Sequence, residues 1–222
     1  TYYNLIDRIT GYNLEDIVDI FRGITISPNS KIISKSKAKN KLPIIKGNNI
    51  SKFSYSNSFF VDVTKLDGNL SKIEEFKKGK IILQNIFSSE AGIISCMDEK
   101  GNINFDTVTN IVLRDTSLDL RYIFGLLNSK LINFYLLYVI YNKSKLTMHT
   151  DRVYLGKIPI KKADKKTQKE IINIVTKINK KNSKNILPEL DEKVYNLYGI
   201  TKKEQDKINF ALKQIMSEKS LW

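Results

Sequence analysis

The chain has 222 residues, of which 41% are hydrophobic and 10% aromatic, and this composition excludes a wholly disordered polypeptide. Its 37 basic and 23 acidic residues give a formal net charge of +14, which favours nucleic acid, an anionic membrane or an acidic protein as partner over a merely soluble basic protein. The single cysteine, Cys96, excludes a disulfide framework and a cysteine-built metal site, and it predicts a reducing cytoplasmic environment.

The first two thirds of the chain are predicted to form short strands and loops. An opening segment at residues 13–20 precedes the sequence FRGIT at 21–25, where Gly23 is expected to supply conformational freedom at a sharp bend. Residues 98–102, with Gly101, predict a tight turn that joins two strands in a hairpin. Strands are predicted at residues 31–33, 42–45, 58–63, 80–87, 91–97, 103–105 and 110–114.

Helical periodicity begins after Leu118. Gly199 is expected to cap one helix end, and Thr201 with Glu204 predicts a capping box for the last helix. The apolar run at 131–141 is shorter than the roughly 20 residues of a membrane helix, and it is interpreted as a buried helix. Helices are predicted at residues 119–128, 129–141, 165–181, 187–198 and 201–216.

The order of these elements predicts an α+β fold. An N-terminal mixed or antiparallel sheet region with loops is followed by a C-terminal helical region. The strand segments are expected to form one sheet of five or more strands. Along the chain, residues 1–16 are expected to connect to a preceding domain, residues 17–160 to form the sheet-rich region, and residues 161–222 to form the helical region.

Motifs for catalysis are few in this sequence. It contains neither a glycine-rich phosphate cradle nor the Asn/Asp-Pro-Pro-aromatic tetrad of amino-methyltransferases. The only histidine, His149, is interpreted as structural or close to nucleic acid rather than catalytic. Asp62 followed by Glu75-Phe76-Lys77 has the spacing of a metal-dependent nuclease, but the pattern arises easily in a lysine-rich chain, and residues 74–79 are interpreted as a solvated loop or helix end. We therefore predict no catalytic residue, metal site or cofactor in this chain.

Polar side chains that can pair with base edges stand at predicted strand ends and loops. Base reading requires side chains such as Arg, Asn, Gln, Ser or Thr that form paired hydrogen bonds. Each of these residues alone could equally be an ordinary turn or cap residue, so the hypothesis depends on the whole set. The candidate base readers are Arg22, Thr25, Asn48, Asn49, Asn85, Ser88, Ser89 and Arg114.

Basic side chains form a second set of candidates. Residues 27–50 contain lysines and no acidic residue, and a further basic cluster follows the apolar helix. Such side chains attract phosphates regardless of sequence, and each neutralised phosphate steepens the salt dependence of binding. The predicted contacts to the DNA backbone are Lys31, Lys35, Lys37, Lys39, Lys41, Lys46, Lys143, Lys145 and Arg152.

Several segments, in this order, resemble TaqI-like DNA specificity domains. The opening of that family is similar to FRGIT at 21–25 and LPIIKGNNI at 42–50, with Asn49 where the family pattern often has Asp. The family helix is similar to LLNSKLINFY at 126–135. Further similar segments are KIIL at 80–83, DTVTN at 106–110, IPI at 158–160 and LDEKVYNLYGIT at 190–201 with Glu204. The resemblance extends from residue 17 to about residue 210.

This resemblance implies the C-terminal target-recognition domain of a type IIG-like N6-adenine DNA methyltransferase. Such a domain performs no chemistry and reads double-stranded DNA, largely from the major groove, for a separate catalytic domain. Residues 17–160 would then be the DNA target-recognition region. The implied partners are double-stranded DNA and an N-terminal methyltransferase domain, in the same or a separate chain, which would bind S-adenosylmethionine. A cytoplasmic location without membrane contact is expected.

Other functions remain open at this point. One alternative is half of a type I restriction–modification specificity subunit, although the C-terminal helices are short and interrupted for that role. A basic protein-interaction adaptor is a second alternative, and an autonomous nuclease is a third. The helix at 126–135 is expected to serve packing rather than base contact.

Overall fold

A central antiparallel sheet has helices on one face and a second sheet on the other. The computed structural model describes residues 2–27, 30–57, 59–66, 70–89, 91–144, 147–181 and 184–217. Its strands are β1 (Tyr12–Asn13), β2 (Val18–Arg22), β3 (Ile33–Ser34), β4 (Lys41–Ile45), β5 (Ile50–Ser51), β6 (Ser54–Tyr55), β7 (Phe59–Asp62), β8 (Lys80–Gln84), β9 (Ile86–Phe87), β10 (Ser95–Asp98), β11 (Ile103–Asn104), β12 (Val108–Leu113), β13 (Met148–His149) and β14 (Pro159–Ile160). Its α-helices are α1 (Tyr3–Ile6), α2 (Leu14–Ile17), α3 (Leu70–Lys77), α4 (Leu120–Leu127), α5 (Lys130–Tyr135), α6 (Arg152–Leu155), α7 (Lys165–Lys181), α8 (Leu187–Tyr198) and α9 (Lys202–Ser217).

The central sheet contains β10, β8, β12 and β2 in that order, and each neighbouring pair is antiparallel. Successive side chains of a strand point to opposite faces. Ile81 and Leu83 of β8 therefore enter the main hydrophobic core, while Ile82 enters a different core on the other face. The unbroken apolar run of this strand reflects a sheet that is covered on both faces.

The C-terminal helices cover one face of the central sheet. Helix α7 packs on α4 through an apolar stripe at helical spacing, formed by Ile171, Ile174, Val175 and Ile178. Gly125 of α4 permits the close approach, because a Cβ atom there would lie 2.6 Å from Cγ2 of Ile171. The apolar face that the sequence pattern predicts for α7 is therefore the face that packs on α4.

The ends of the last two helices follow the signals in the sequence. Gly199 ends α8 with a φ of 69°, in the left-handed region. Before α9, the backbone N–H of Thr201 donates to the carboxylate of Glu204 at 2.8 Å, as in a capping box. The predicted helix at 129–141 begins as an α-helix but ends in a π-helical turn, Leu136–Ile140.

A second sheet packs against the opposite face of the central one. It contains β11, β4, β7 and β3 in that order, with β11 parallel to β4 and the other pairs antiparallel. Ile44 and Phe76 belong to its own core, and a third core that includes Ile45, Ile82 and Cys96 joins the two sheets. The α+β prediction is confirmed, but the prediction of one sheet with five or more strands is wrong. The longer strands divide between two four-stranded sheets.

The predicted hairpin at residues 98–102 is also wrong, although the turn exists. Gly101 adopts a φ of 70°, yet β10 pairs with β8 and β11 runs beside β4 in the second sheet. The carboxylate of Asp98 accepts the backbone N–H of Asn102 at 2.9 Å and the ammonium of Lys80 at 2.6 Å. A buried ion pair therefore holds the chain at the point where it passes from one sheet to the other.

Three strand predictions need correction in their bounds. The strand predicted at 80–87 is interrupted at Asn85, whose backbone N–H turns to the carbonyl oxygen of Thr107 at 3.0 Å. Beyond this interruption, β9 pairs with β13 outside the central sheet. The strand predicted at 31–33 lies at Ile33–Ser34, and the one predicted at 91–97 begins only at Ser95.

The most apolar helical segment lies inside the fold. Leu131, Ile132 and Phe134 are fully buried, which confirms the interpretation of this run as a buried helix. Within the described ranges, no single helix is long and apolar enough to cross a membrane. Only the pair Leu120–Leu127 and Lys130–Ile140, bent by 59°, meets those criteria together.

Candidate nucleic-acid interface

Three strands of the central sheet bring their ends together at one edge. Because β2 and β8 both run antiparallel to β12, their last residues lie beside the first residues of β12. Thr109 of β12 stands opposite Arg22 on one side and Leu83 on the other. Arg22 and Asn85 therefore meet at this edge, although 63 positions separate them in the sequence.

Two adjoining cavities open at this edge and share Asp106 and Thr107. The first has a volume of about 400 Å³ and is lined by Arg22, Gly47, Asn48, Gln84, Asn85 and Ile86. The second has a volume of about 450 Å³ and is lined by Thr25, Ile26, Ser27, Lys46 and Phe105. We call the two cavities together the strand-end groove. It gathers the predicted base readers Arg22, Thr25, Asn48 and Asn85 and the predicted backbone contact Lys46.

Two glycines allow the walls of the groove to approach each other. A Cβ atom at Gly23 would overlap the carbonyl oxygens of Asn104 and Phe105, and one at Gly47 would lie 2.6 Å from that of Thr107. The backbone N–H of Gly47 also donates to Oγ1 of Thr107 at 3.0 Å. Gly23 is not among the residues with positive φ, so close approach, rather than the conformational freedom predicted at a bend, explains this glycine.

Arg22 is held at the groove wall by two other side chains. Its Nε lies 3.2 Å from Oδ1 of Asp151, and its Nη2 donates to Oδ1 of Asn85. Nδ2 of Asn85 donates to the same Asp151 oxygen and to Oγ1 of Thr109, each at 3.0 Å. Asn85 is only 1% exposed, whereas the Arg22 side chain is 48% exposed. In this arrangement Asn85 supports the arginine and Arg22 faces the groove.

The segment around β13 adds hydrogen bonds to the side chains that hold Arg22. Nδ1 of His149 lies 3.1 Å from Oδ1 of Asn85, and the Tyr141 hydroxyl donates to the backbone oxygen of His149. Burial raises the pKa of Tyr141 above its already high ordinary value. Oγ1 of Thr150 donates to Oγ1 of Thr109 at 2.8 Å. These contacts connect the groove wall to the central sheet.

Lys46 presents its charge at the second cavity. Its Nζ lies 4.2 Å from the ring centroid of Phe59 and 5.2 Å from that of Phe105, which is the geometry of cation–π contacts. Asn49, a predicted base reader, caps the short 3-10 turn Gly47–Asn49 instead of lining either cavity: its Oδ1 accepts the backbone N–H of Lys46 at 3.2 Å.

Two predicted readers lie on the loop after β9, away from the groove. Oγ of Ser88 accepts the backbone N–H of Ala91 at 3.3 Å. Ser89 is buried and lines a separate cavity of about 320 Å³ beside α5, α8 and α9. The structure therefore does not bring these two serines together with Arg22.

Arg114 stands at the opposite edge of the central sheet. It follows the far end of β12, about 17 Å along the strand from Thr109. Its Nε lies 3.3 Å from Oδ1 of Asp19, and its Nη2 donates to the backbone oxygen of Glu15. Arg152 lines the same cavity of about 350 Å³ and forms an ion pair with the Glu15 carboxylate at 3.1 Å. Arg114 and Arg152 therefore form a site distinct from the strand-end groove.

The predicted backbone contacts are spread over several surfaces. Lys31 is exposed before β3, and Lys35, Lys37 and Lys39 are exposed between β3 and β4, on residues 35–40, which we call the lysine loop. Lys41 donates to Oγ of Ser34 at 2.9 Å, and β4 separates it from Lys46 by about 17 Å. Exposed Lys143 has its Nζ 5.1 Å from the ring centroid of Tyr138, whereas Lys145 lies outside the described residues.

Several groove residues escaped the sequence prediction. Asp106, Thr107 and Gln84 line the cavities, and Asp151 anchors Arg22. Asp106 and Thr107 stand in the family-like segment DTVTN, but no local signal gave any of these residues a role in a groove. Ile86 is 53% exposed on the groove rim, and only the alternation of apolar and polar residues around β9 could have indicated an outward-facing isoleucine.

The residues with nuclease-like spacing are engaged in local contacts. Asp62 accepts hydrogen bonds from Thr64, which lower the pKa of its carboxyl group, and it pairs with Lys65 at 3.6 Å. Glu75 pairs with Lys78 at 2.8 Å in the last turn of α3. In the part of the chain that the structure describes, no three His, Cys, Asp or Glu side chains lie close enough together to hold a metal ion.

Comparison with known proteins identifies the class of this chain. A family model described as the TaqI-like C-terminal specificity domain matches residues 42–160, more than half of the chain. The chain is therefore a DNA target-recognition, or specificity, domain. More particularly, the chain belongs to the family of TaqI-like C-terminal specificity domains. A search among curated proteins gives no match.

Solved structures share the fold of this chain. The type IIL restriction–modification enzyme MmeI, determined in complex with DNA, gives a TM-score of 0.65 at 15% identity, over 95% of this chain and 37% of that one. The type IIG restriction endonuclease BpuSI gives 0.51 at 10% identity, over 85% and 31%. The chain thus spans less than half the length of each of these proteins.

Proposed function

We propose that the strand-end groove is the surface with which this domain reads double-stranded DNA. The observation that carries the proposal is the convergence of Arg22, Asn48 and Thr25 at one edge of the central sheet. Arginine and asparagine form the paired hydrogen bonds that distinguish guanine and adenine in the major groove. Asp106 adds an acceptor of the kind that cytosine N4 requires.

The mixture of donors and acceptors favours sequence reading over simple phosphate binding. A surface that only grips the backbone needs cations alone, since phosphates offer acceptors of one kind. The groove instead combines Arg22 and Lys46 with the amides of Asn48 and Gln84 and the carboxylate of Asp106. Such a set can reject a wrong base through unpaired or repelling groups.

The lysine loop supplies the flanking contact in this proposal. It lies beyond the end of β4 that is opposite to Lys46, about 17 Å away along the strand. That distance corresponds to roughly five base-pair steps of duplex at about 3.4 Å each. Lys35, Lys37 and Lys39 would thus meet phosphates beyond the bases that the groove contacts.

The catalytic partner in this proposal is an N6-adenine methyltransferase domain of type IIG-like organisation, in the same or another chain of a bacterial cytoplasm. That domain would bind S-adenosylmethionine and methylate adenine, and this chain would position the DNA for it. The family match and the smaller span of this chain relative to MmeI and BpuSI support a recognition module within a larger enzyme. The C-terminal helices would buttress the fold and face the catalytic domain.

A binding titration of the full chain against duplex DNA over a series of salt concentrations tests the reading surface. We expect binding at low salt that weakens as salt increases, together with tighter binding to a sequence selected from a randomised duplex library than to random duplex. Asn48→Ala should change the selected sequence, because it removes a paired donor and acceptor from the groove. Asn196→Ala, which removes an exposed asparagine from α8, serves as the matched control and should leave the selected sequence unchanged.

Three results would contradict the proposal. Absence of DNA binding even at low salt would favour the basic-adaptor alternative. Methyl transfer by this chain alone with S-adenosylmethionine, or cleavage with a divalent metal, would show chemistry that the proposal assigns elsewhere. An equal loss of affinity for all sequences in the Asn48→Ala variant would mean that the groove does not read bases.

A further inference from the structure

Resting on the proposed function, we infer that Arg22 reads one guanine of the target sequence and that Asp151 and Asn85 are positioning residues that hold it for this task. One edge of the Arg22 guanidinium is already engaged by Asp151 and Asn85, and the other edge is, within the described part of the chain, free to contact a base.

The guanidinium of Arg22 uses only one of its edges within the protein. That edge consists of Nε–H, which faces Asp151 at 3.2 Å, and one N–H of Nη2, which donates to Asn85. The side chain carries five N–H donors in a planar fork. Among the described residues, Nη1 and the second N–H of Nη2 have no partner, and these form the end-on edge of the fork. With the side chain 48% exposed, this edge is available to the first cavity.

The support of Arg22 is itself fixed. The Oδ1 atom of buried Asn85 faces both Arg22 and Nδ1 of His149, while its Nδ2 donates to Asp151 and Thr109. An amide has two acceptor sites on oxygen and two N–H donors, so all four are engaged here. Rotating the amide by half a turn would put an N–H against the guanidinium. The network therefore holds Asn85 in a single orientation, and Asn85 holds Arg22.

The free end-on edge matches guanine better than any other base. Guanine presents two adjacent acceptors, O6 and N7, in the major groove, which accept two parallel N–H bonds from one guanidinium. Adenine presents a donor beside N7. Cytosine presents one hydrogen-bond donor and thymine one acceptor, so none of these bases can accept both bonds. A paired contact of this kind corresponds to about a 5- to 140-fold preference over a wrong base.

Arg114 provides a matched control within the same chain. Its side chain is 49% exposed, its Nε faces a carboxylate at 3.3 Å and its Nη2 donates to a backbone oxygen, so its local chemistry closely resembles that of Arg22. It differs in lying at the opposite edge of the sheet, outside the strand-end groove. Replacement of either arginine by lysine keeps the charge and removes the fork.

Selection from a randomised duplex library with the full chain and its Arg22→Lys, Asp151→Asn and Arg114→Lys variants tests the inference. We expect guanine at one position of the sequence selected by the wild type. Arg22→Lys should weaken the preference at that position alone, because lysine can still donate to guanine but lacks the planar fork. Asp151→Asn should also weaken it, and Arg114→Lys should retain it. Asp151→Glu keeps a carboxylate at this position, so it should retain more of the preference than Asp151→Asn does, as expected for a positioning residue.

A second measurement uses only the wild-type chain and therefore stands even if a variant fails to fold. Replacing each guanine of the selected sequence in turn by 7-deazaguanine, which lacks the N7 acceptor, should reduce wild-type affinity about 5-fold or more at one position. A selected sequence without guanine at the position that Arg22→Lys alters, or a wild-type affinity insensitive to 7-deazaguanine at every guanine, overturns the inference. No sequence preference in the wild type would instead overturn the proposed function itself.

Discussion

The ion pair between Lys80 and Asp98 holds the chain at the turn where it passes from the central sheet to the second sheet. Both side chains are fully buried, and the ammonium also donates to the backbone oxygen of Phe76 at 2.6 Å. Burial lowers the pKa of Lys80, while the neighbouring Asp98 opposes that shift. The pair links α3, β8 and the turn at residues 98–102, where the two sheets diverge.

Lys80→Met should therefore destabilise the protein strongly. The free energy of unfolding should fall by about 3–5 kcal/mol, because the variant leaves the Asp98 carboxylate buried without its cation. Urea denaturation followed by circular dichroism measures this change. The control is Lys78→Met, which removes an exposed lysine that pairs with Glu75 and should change the free energy by no more than about 0.5 kcal/mol. Similar effects of the two variants would mean that Asp98 is not buried as described.

At the scale of elements, the groove exists because three strand ends and two glycines meet around the loop before β12. The chain continues past the end of β2 and forms further backbone hydrogen bonds. The N–H of Gly23 donates to the backbone oxygen of Val108 at 3.0 Å, and the N–H of Ile24 donates to that of Asn104 at 2.8 Å. A side chain at position 23 has no room in this arrangement. The loop that carries Asp106 and Thr107 is thus held mainly by backbone hydrogen bonds, together with the contact from the Gly47 N–H to Oγ1 of Thr107.

Gly23→Ala should displace this loop and weaken sequence-specific DNA binding. The added Cβ atom overlaps two carbonyl oxygens, so the backbone must shift, and we also expect a lower midpoint of thermal unfolding. Gly79→Ala is the matched control, because a Cβ atom there has nothing within 4 Å. That control should bind DNA normally and be unchanged or slightly more stable, since alanine restricts the unfolded chain. Normal specific binding by Gly23→Ala would separate this loop from base reading.

The lysine loop should act on every DNA sequence alike. Replacing Lys35, Lys37 and Lys39 together by alanine removes three exposed cations and no groove residue. We expect weaker binding to selected and random duplexes by the same factor. The slope of log affinity against log salt should also become shallower by as much as about 2.7, at 0.9 per lost phosphate contact. A change in the selected sequence would instead place this loop in a groove of the DNA.

At the scale of the whole molecule, one main core joins the two ends of the described chain. It contains Leu5 and Ile9 near the start, Ile81 and Ile111 of the central sheet, and Ile208 of α9. The side chain of Arg8 adds a hydrogen bond to the backbone oxygen of Gly199 at 3.2 Å. The sheet and the C-terminal helices should consequently unfold as one cooperative unit, although they occupy successive parts of the sequence.

Leu190→Ala in α8 tests this cooperativity. It should lower the free energy of unfolding by about 2–5 kcal/mol through the cavity it creates in the main core. Cys96 reports on the distant third core: its thiol is buried, burial raises its pKa, and a thiol reagent should reach it only on opening. We expect its modification to accelerate by the factor that corresponds to the loss of stability measured by circular dichroism. Loss of helix signal without faster Cys96 modification would show that α8 unfolds separately.

The sequence by itself determined the elements whose signals are local. The apolar stripe of α7, the glycine at the end of α8 and the Thr201–Glu204 cap each depend on residues within one or two helical turns, so they could be read directly. The positive charge and the ordered motifs also predicted the DNA-binding class, which the family match confirms.

Only the tertiary structure decided which strands pair and which polar residues meet. Residues on both sides of the turn at 98–102 form acceptable strands, and nothing local states that they enter different sheets. Likewise, Arg22 and Asn85 carry no mark of each other across 63 positions, and the identity of Asp151 as the anchor of Arg22 depends on their contact in space. Strand pairing and side-chain networks are set by the packing of the whole core, whereas helix periods and caps are set by neighbours along the chain.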